Sequence, residues 1–410
     1  MSVMNRALAD AEATGLPKRS SNRINRRAVG RIVACALGFR LVSAILALLV
    51  NLAFPLHQAE QFTVFGSTSP FWDTFARYDS GHFEGIAWGG YAPLAGGRSN
   101  IAYFPVYPLL MRWVARLFGR RHAIYFISGI GVAWACFIFA MIALYYLARL
   151  DLSRRQAERA VLLTTIFPFA FFFGVAYSES TFLLFALLAF YGLRTRRWLL
   201  GGLCGAVATA TRVPGILMLP ALAWVAYKTV STVSNAAPAP RDRIWAALAL
   251  VLAASGFAAY CFYIYQLTGN PLEWAATIQR WGYYPGGAPW MTPVRLVQRL
   301  VTHPYAYLTT DPMAPYDTLY GVTGILFALS IPFVWWKFGA GYGLYMLLAL
   351  WLPLSSGTFE GVGRYCSVLF PAFLCLATIQ SRTVSTAIIV LFSLFYTLGL
   401  ALFTTIHPIF

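Results

Sequence analysis

The residues best suited to chemistry in this sequence lie between its first two long apolar segments. Asp79 follows an aromatic residue, and His82 and Glu84 come within the next five positions. At a membrane surface, partial burial raises the pKa of a carboxylate toward neutrality, and the carboxylate can then accept a proton from a hydroxyl as a general base. Asp79 could instead be the N-cap of a helix that begins at Ser80, and residue type alone favours this capping role.

Three further charged residues lie at breaks between apolar segments. Arg212 lies where a lone charge is costly unless it is paired or functional, so it could bind a phosphate or pair with Glu179. Glu179 could orient Arg212 or position an acceptor, or it could complement the dipole of a helix N-terminus. Arg364 is a second candidate for binding a phosphate, and the favoured alternative is an interfacial arginine that extends to water.

Other residues near Asp79 could contact a substrate. Glu84 could bind a sugar hydroxyl, although a helix would place it about 140° round from Asp79. His82 could hydrogen-bond Asp79, although a lone interfacial histidine is more often structural. Tyr103 and Tyr107 could stack on a sugar or a lipid, but the aromatic belts of membrane interfaces are the favoured explanation for them.

The composition predicts a membrane protein. The chain has 410 residues, of which 59% are hydrophobic and 11% charged, and its mean hydropathy is +0.64. A soluble fold of this length has too little interior for so much apolar surface, so lipid must cover the rest. The net charge of +17 comes mostly from short basic segments between apolar runs. This pattern is typical of topology signals and of contacts with membrane lipids, and it argues against nucleic acid as a partner.

Apolar segments of about the length that crosses a bilayer predict the fold class. We expect an all-α integral membrane protein, a polytopic bundle of about eleven transmembrane helices, formed by a single domain at 32–410. A disordered basic cytoplasmic tail at 1–31 precedes it. The first span carries Arg40, which we expect to extend toward the cytoplasmic headgroups. The predicted spans are 32–54, 123–149, 160–177, 179–193, 198–211, 214–227, 244–267, 317–336, 340–354, 365–379 and 384–405.

The basic residues predict the orientation of the chain. With the N-terminus in the cytoplasm, most short basic loops lie inside, and the long loops at 55–122 and 268–316 lie outside with the candidate site. We expect loop 55–122 to be catalytic, with interfacial helices near 71–88 and 107–118, and loop 268–316 to face the substrate. Four arginines disagree with this orientation, namely Arg112, Arg116, Arg120 and Arg121.

Three ordered blocks of the sequence carry a family resemblance. The first is YDSGHFEGIAWGGY at 78–91 with YFPVYPLL at 103–110, the second lies at 167–182 and contains YSES, and the third is ATATRVPG at 208–215. They resemble the mannosyltransferase family that includes the GPI second-mannose transferase (PIG-V), within the GT-C superfamily. Tyr78 stands where tryptophan is commoner in that family, and the last third of the chain matches more loosely.

The resemblance implies a GT-C-like membrane glycosyltransferase, and a mannosyltransferase in the first instance. Such an enzyme moves a sugar, with inversion, from a polyprenyl-phosphate donor to a glycolipid, glycan or protein acceptor on the outer face of the membrane. The acid of the first external loop, Asp79 here, is then the catalytic base, and Tyr177 joins Glu179, Arg212 and Arg364 among the substrate-binding residues. No cofactor is implied, a weakly bound divalent ion is left open, and the expected location is a bacterial plasma (inner) membrane.

A polytopic transporter or flippase for a lipid-linked or small substrate is the alternative. It would explain the hydrophobicity and the intramembrane arginines, but its site would lie near the bilayer midplane. Convergence of Asp79, Glu179 and Arg212 at the outer interface would favour the transferase, and a closed cavity in mid-membrane would favour the transporter.

Overall fold

A computed structural model describes residues 26–57, 63–65, 68–92, 99–231, 240–283 and 287–409, and all regular elements in these ranges are helical. Two short 3-10 helices span Asn100–Ala102 and Ala170–Gly174. In chain order the α-helices are α1 (Arg26–Ala53), α2 (Pro70–Asp73), α3 (Ser80–Gly89), α4 (Val106–Phe118), α5 (His122–Ala148), α6 (Arg154–Thr165), α7 (Glu179–Arg194), α8 (Trp198–Thr209), α9 (Val213–Leu217), α10 (Leu219–Ser231), α11 (Pro240–Thr268), α12 (Glu273–Arg280), α13 (Met291–Thr302), α14 (Pro304–Thr310), α15 (Ala314–Phe338), α16 (Ala340–Leu354), α17 (Val362–Ser367), α18 (Phe370–Leu376) and α19 (Arg382–Thr404).

Six helical segments of the described chain are long and apolar enough to cross a bilayer. They are α1, α5, the consecutive pair α9 and α10, α11, α15 and α19, while α8 and α16 are shorter apolar helices. Many of their large apolar side chains face outward, where lipid would cover them. The chain is therefore an all-α polytopic membrane protein, as the sequence predicted, but the predicted count of eleven spans is not confirmed.

Three of the predicted spans are not continuous helices, and one of them, 214–227, is divided only at Met218 between α9 and α10. The segment at 160–177 divides into the end of α6, an irregular stretch with Pro168 and the 3-10 helix at Ala170–Gly174. The segment at 365–379 divides into α17 and α18, with Pro371 in the first turn of α18. Proline has no amide hydrogen and clashes with the preceding helical turn, so it interrupts a helix, whereas a single proline lowers the mean hydropathy of a span only slightly.

Side-chain contacts group the turns of the chain at two ends of the bundle. At one end, Arg31 bonds Glu158 at 2.7 Å and Lys337 bonds Thr378 at 2.6 Å. We call this the basic end, with residues 26–31, 151–159, 194–197, 337–339 and 378–382. The opposite end, which we call the loop end, holds residues 54–57, 70–92, 99–118, 170–179, 209–213, 269–283, 287–313, 355–365 and 405–409. The same long loops that the sequence grouped together therefore meet in space.

The helices predicted in the first long loop are present with changed boundaries. The segment at 71–88 forms α2 and α3, separated by a turn at 74–79, and the second predicted helix is α4. Arg112 on α4 donates to the carbonyl oxygens of Ala87 at 2.6 Å and Ile86 at 2.7 Å. Its guanidinium therefore satisfies the C-terminal carbonyls of α3, which explains why this arginine does not follow the topology rule.

Two predictions for the N-terminal region need correction. Arg40 does not extend to the headgroups: it is 2% exposed, and its guanidinium lies 4.4 Å from the centre of the Phe137 ring. It lies on the face of α1 that packs against α5, where aromatic rings stabilise the charge. Residues 1–25 of the predicted tail lie outside the described residues, but 26–31 are helical because α1 begins at Arg26.

Candidate active site

Turns and helix ends at the loop end enclose a cavity of about 600 Å³. Six separate stretches of chain form its wall: the start of α3, the first 3-10 helix, Ser178 before α7, the start of α9, the end of α12 with the segment after it, and the segment from the end of α16 into α17. The polar and aromatic side chains in the wall include Asp79, His82, Tyr103, Arg212, Trp281, Tyr283, Glu360 and Arg364.

Asp79 points into this cavity. It holds the N-cap position of α3, but its side chain makes no capping hydrogen bond. Tyr103 donates its hydroxyl to Asp79 Oδ1 at 2.8 Å, and Arg364 donates from Nη1 to Oδ2 at 2.6 Å. The capping role that residue type favoured is therefore wrong, and the carboxylate is 24% exposed, enough to meet a substrate.

The acidity of Asp79 differs from the prediction. Burial disfavours its ionised form, but the charge and hydrogen bond of Arg364, with His82 and Tyr103, outweigh burial and lower the pKa of Asp79. The raised pKa predicted from the sequence reflected the effect of burial alone. Arg364 is 285 residues away in the chain, so local sequence gave no sign of this contact.

Glu179 is the shared counter-ion of two arginines. It is fully buried at the first turn of α7. Its Oε1 accepts a hydrogen bond from Arg364 Nε at 2.7 Å and also forms an ion pair with Arg212 Nη1. The predicted pairing of Arg212 with Glu179 is confirmed. The interpretation of Arg364 as an arginine that extends to water is wrong, because its side chain is 12% exposed and bonds two carboxylates.

The broken segment before α7 supplies aromatic support for these charges. The Arg364 guanidinium lies 4.5 Å from the centre of the Tyr177 ring and 5.3 Å from that of Phe172. Asp79 donates its backbone N–H to the Tyr177 hydroxyl at 3.3 Å. An unbroken helix through 160–177 would give these residues a different arrangement, so the interruption at Pro168 is part of how the site is built.

Aromatic side chains line the cavity beside Asp79. His82 stacks on Tyr103 with ring centres 4.7 Å apart, and Trp281 lies 5.7 Å from Tyr103 and 5.9 Å from His82. Trp281 belongs to the loop at 268–316, and with Tyr283 it brings that loop to the cavity.

Four candidates from the sequence do not line the cavity: Tyr177 and Glu179, which contact Arg364, and Glu84 and Tyr107. Glu84 Oε1 lies 2.7 Å from His122 Nδ1 on the far side of α3, as the helical phase relative to Asp79 predicted. Burial raises the pKa of Glu84 against the opposing effect of His122. Tyr107 is fully buried and packs edge-on against Phe83 with ring centres 5.0 Å apart. Glu84 and Tyr107 therefore support α3 rather than face the cavity.

Sequence reasoning missed three residues of the cavity: Trp281, Tyr283 and Glu360. Tyr283 donates its hydroxyl to Glu360 Oε1 at 2.5 Å, and burial raises the pKa of Glu360. The only signal in the sequence was their position on the predicted outer face, Trp281 and Tyr283 in the loop at 268–316 and Glu360 between the predicted spans 340–354 and 365–379. Neither residue type nor spacing separates them from ordinary loop residues.

Residues 29–274 match a family described as mannosyltransferase (PIG-V). The chain belongs to this family. The matched residues include Asp79, Tyr103, Glu179 and Arg212, while Arg364 lies beyond them.

The PIG-V match is accompanied by similarity to curated mannosyltransferases. The chain is 30% identical over 210 residues to GPI alpha-1,6-mannosyltransferase 2 of Cricetulus griseus, over 45% of this chain and 40% of that protein. It is 31% identical over 212 residues to the protein of the same name from Mus musculus, over 46% of this chain and 41% of that one. Each alignment thus spans about two fifths of the curated relative's length.

Solved structures show a weaker likeness to this PIG-V family member. ArnT from Cupriavidus metallidurans, bound to undecaprenyl phosphate, aligns over 93% of this chain and 76% of that one, with 13% identity and a TM-score of 0.49. The apo oligosaccharyltransferase of Archaeoglobus fulgidus aligns over 92% and 56%, with 13% identity and a TM-score of 0.41. These scores are too low to establish a common fold.

Proposed function

We propose that this protein is an integral membrane mannosyltransferase that moves a sugar from a polyprenyl-phosphate donor to a hydroxyl of a glycolipid, glycan or protein, with Asp79 as general base. The observation that carries the proposal is the ion pair between the Asp79 carboxylate and Arg364 in the cavity. Glu179 pairs with the same arginine and with Arg212, so the two arginines lie side by side. A base and two candidate phosphate-binding cations thus share one wall. Membership of the PIG-V family and the name of the curated relatives support mannose as the sugar.

The two arginines suit a phosphate leaving group. Departure of polyprenyl phosphate places negative charge on the leaving oxygen, and guanidinium groups stabilise that charge by paired hydrogen bonds. Arg212 and Arg364 both line the cavity and are mostly buried, so their interaction with an anion is weakly screened. Glu179 holds both side chains in place before the donor binds.

The transfer can be written with Asp79 as the only base. The acceptor hydroxyl gives its proton to the Asp79 carboxylate while its oxygen forms a bond to the anomeric carbon. The bond from that carbon to the phosphate oxygen breaks, and the electron pair leaves with polyprenyl phosphate, so the configuration inverts. The lowered pKa keeps Asp79 ionised at neutral pH, which is the state that a base requires.

The placement of the charges argues against a transporter or flippase. Asp79 precedes α3, Glu179 begins α7 and Arg212 precedes α9, so all three lie at helix ends among the turns of the loop end. A transporter site would be expected near the middle of the spans. We further propose that the loop end faces outward from a bacterial plasma membrane, with the N-terminus in the cytoplasm.

A transfer assay tests this function. Purified protein in detergent receives polyprenyl-phosphate mannose with a labelled sugar and a lipid extract of the host. We expect label in a new product, and a fall of at least about a hundredfold with Asp79→Asn, since general-base catalysis contributes on that scale. Glu158→Gln at the basic end is the control and should retain activity. Near-wild-type turnover by Asp79→Asn would reject the assigned base, and no transfer from any lipid-linked sugar would reject the function.

A further inference from the structure

The residue before the proposed base has an unusual backbone conformation. Tyr78 has φ of 48°, in the left-handed region that side chains other than glycine rarely adopt. Ile406, near the C-terminus, has φ of 62°, which is rarer still for a β-branched residue. Such conformations persist only where surrounding contacts hold them. The two strained residues are far apart in the sequence, but the structure brings their neighbourhoods into contact.

The contact is made by residues 405–409, which follow α19 and which we call the C-terminal hook. The Tyr78 hydroxyl donates to the backbone carbonyl of His407 at 2.5 Å. The hook itself is anchored: Tyr316 Oη lies 2.9 Å from His407 Nδ1, and the His57 backbone N–H donates to the Thr405 carbonyl at 2.8 Å. Ile406 is fully buried.

A second residue of the same turn is tied to the end of α19. Arg77 donates from Nη2 to the carbonyl oxygen of Thr404 at 3.4 Å, and its Nη1 pairs with Asp73. Both residues that precede Asp79 therefore bond backbone carbonyls at residues 404–407. Within the turn, Ser80 N–H bonds the Arg77 carbonyl at 3.0 Å, so the orientation of Asp79 follows from that of its two neighbours.

We propose that the C-terminal hook is a positioning element for transfer: the His407 carbonyl holds Tyr78 in its left-handed conformation, and this directs the Asp79 carboxylate into the cavity. The inference rests on the proposed role of Asp79. Tyr78 and His407 are positioning residues, since they act on the reaction through the backbone of the turn. The turn and the hook are separated by more than three hundred residues, so residues near the end of the described chain contribute to a site formed by the first long loop.

The test removes one hydroxyl. Tyr78→Phe keeps the ring in the cavity wall but loses the bond to His407, and we expect kcat to fall about tenfold to a hundredfold, as for a misplaced catalytic group. The KM for the donor should stay within about twofold, because the arginines remain in place.

A second variant and a control accompany this substitution. Tyr316→Phe, which frees the His407 imidazole, should lower kcat in the same direction but less strongly. The control is Tyr396→Phe on α19, which loses a buried hydroxyl contact with Ser43 of α1 and should leave kcat unchanged.

Hydrogen exchange gives a readout that does not depend on turnover. In Tyr78→Phe we expect faster exchange at the amides of Asp79, Ser80 and Gly81, and no change there in Tyr396→Phe. Unchanged kcat together with unchanged exchange in Tyr78→Phe would overturn the inference. If the wild type transfers no sugar, the proposed function fails, while the exchange of these three amides still decides whether the hook holds the turn.

Discussion

At the residue scale, the site is a chain of alternating charges that runs Arg212, Glu179, Arg364, Asp79. Every buried charge in this chain has an opposite charge in contact, which keeps the desolvation penalty tolerable. Asp79 is the most exposed of the four and Glu179 the least. Chemistry with a substrate is therefore expected at Asp79, the exposed end of this row of charges. The buried residues at the other end hold the row in position.

Removal of the buried carboxylate should destabilise the protein. Glu179→Gln leaves Arg212 and Arg364 without their shared counter-ion, and a broken buried ion pair costs about 3 kcal/mol or more. We expect a clear fall in the thermal unfolding midpoint in detergent. Glu158→Gln removes a carboxylate that is one third exposed and pairs with Arg31 and Arg154, so its cost should stay below about 1 kcal/mol. Equal midpoints for the two variants would show that Glu179 does not balance the arginines.

The pH dependence of transfer should report the hydrogen bond from Tyr103. Burial raises the pKa of Asp79, but Arg364, His82 and Tyr103 lower it by stabilising the ionised form. Tyr103→Phe removes one of these contributions, so the pKa of Asp79 should rise and the base should become protonated at a higher pH. We expect the acid limb of the kcat profile to move to higher pH in this variant. A shift to lower pH, or none, would mean that the limb reports a group other than Asp79.

At the scale of elements, the cavity depends on helices that end in the right place. The breaks at Pro168 and before Pro371 interrupt predicted spans that would otherwise be continuous helices. They leave α7 and α17 as separate helices, whose first turns bring Glu179 and Arg364 toward Asp79. Close helix crossings set the distances between the ends. At one of them α8 meets α11, where a methyl group at Gly256 would overlap the backbone carbonyl of Ala206.

Substitution at this crossing tests the packing. Gly256→Ala should force α8 and α11 apart and destabilise the protein by about 1–3 kcal/mol, the usual cost of overpacking. Gly38→Ala on α1 is the matched control, since no atom lies within 4 Å of the added methyl group, and it should leave stability equal or slightly raised. Thermal unfolding of the two variants in the same detergent gives the comparison. A Gly256→Ala variant as stable as Gly38→Ala would contradict the close crossing.

At the scale of the whole molecule, the two ends of the bundle differ in character. The basic end carries short turns and helix ends with Arg31, Arg154, Arg194 and Lys337, and the loop end carries the cavity. A membrane protein usually keeps such short basic turns in the cytoplasm. This separation supports an outward-facing cavity, where a lipid-linked donor would enter.

Cysteine labelling of intact cells tests that orientation. In a background with Cys35→Ala, Tyr305→Cys places a thiol at an 81% exposed position of the loop end, and Arg154→Cys places one at an exposed position of the basic end. A membrane-impermeant maleimide should label the first variant and label the second only after the cells are opened. The reverse pattern would place the cavity on the cytoplasmic side and exclude an externally supplied acceptor.

The sequence by itself determined the class of the protein and the local motifs of its site. Apolar composition and span length do not depend on how helices pack, so the membrane assignment follows from them directly. Asp79, Glu179 and Arg212 stood out because each is a charge at a break between apolar segments, which is also a local property. The angle of about 140° between Glu84 and Asp79 round a helix could also be calculated, because it depends only on the number of residues between them.

Only the tertiary structure decided which charges meet. The contact of Arg364 with Asp79, the lowered pKa that follows from it, and the arrival of Trp281 and Glu360 at the cavity all join distant parts of the chain. The span boundaries at 160–177 and 365–379 also failed, because hydropathy averages over a window and does not register a helix break. Coulomb interactions and packing act through space, so they are fixed only when the helix ends have been brought together.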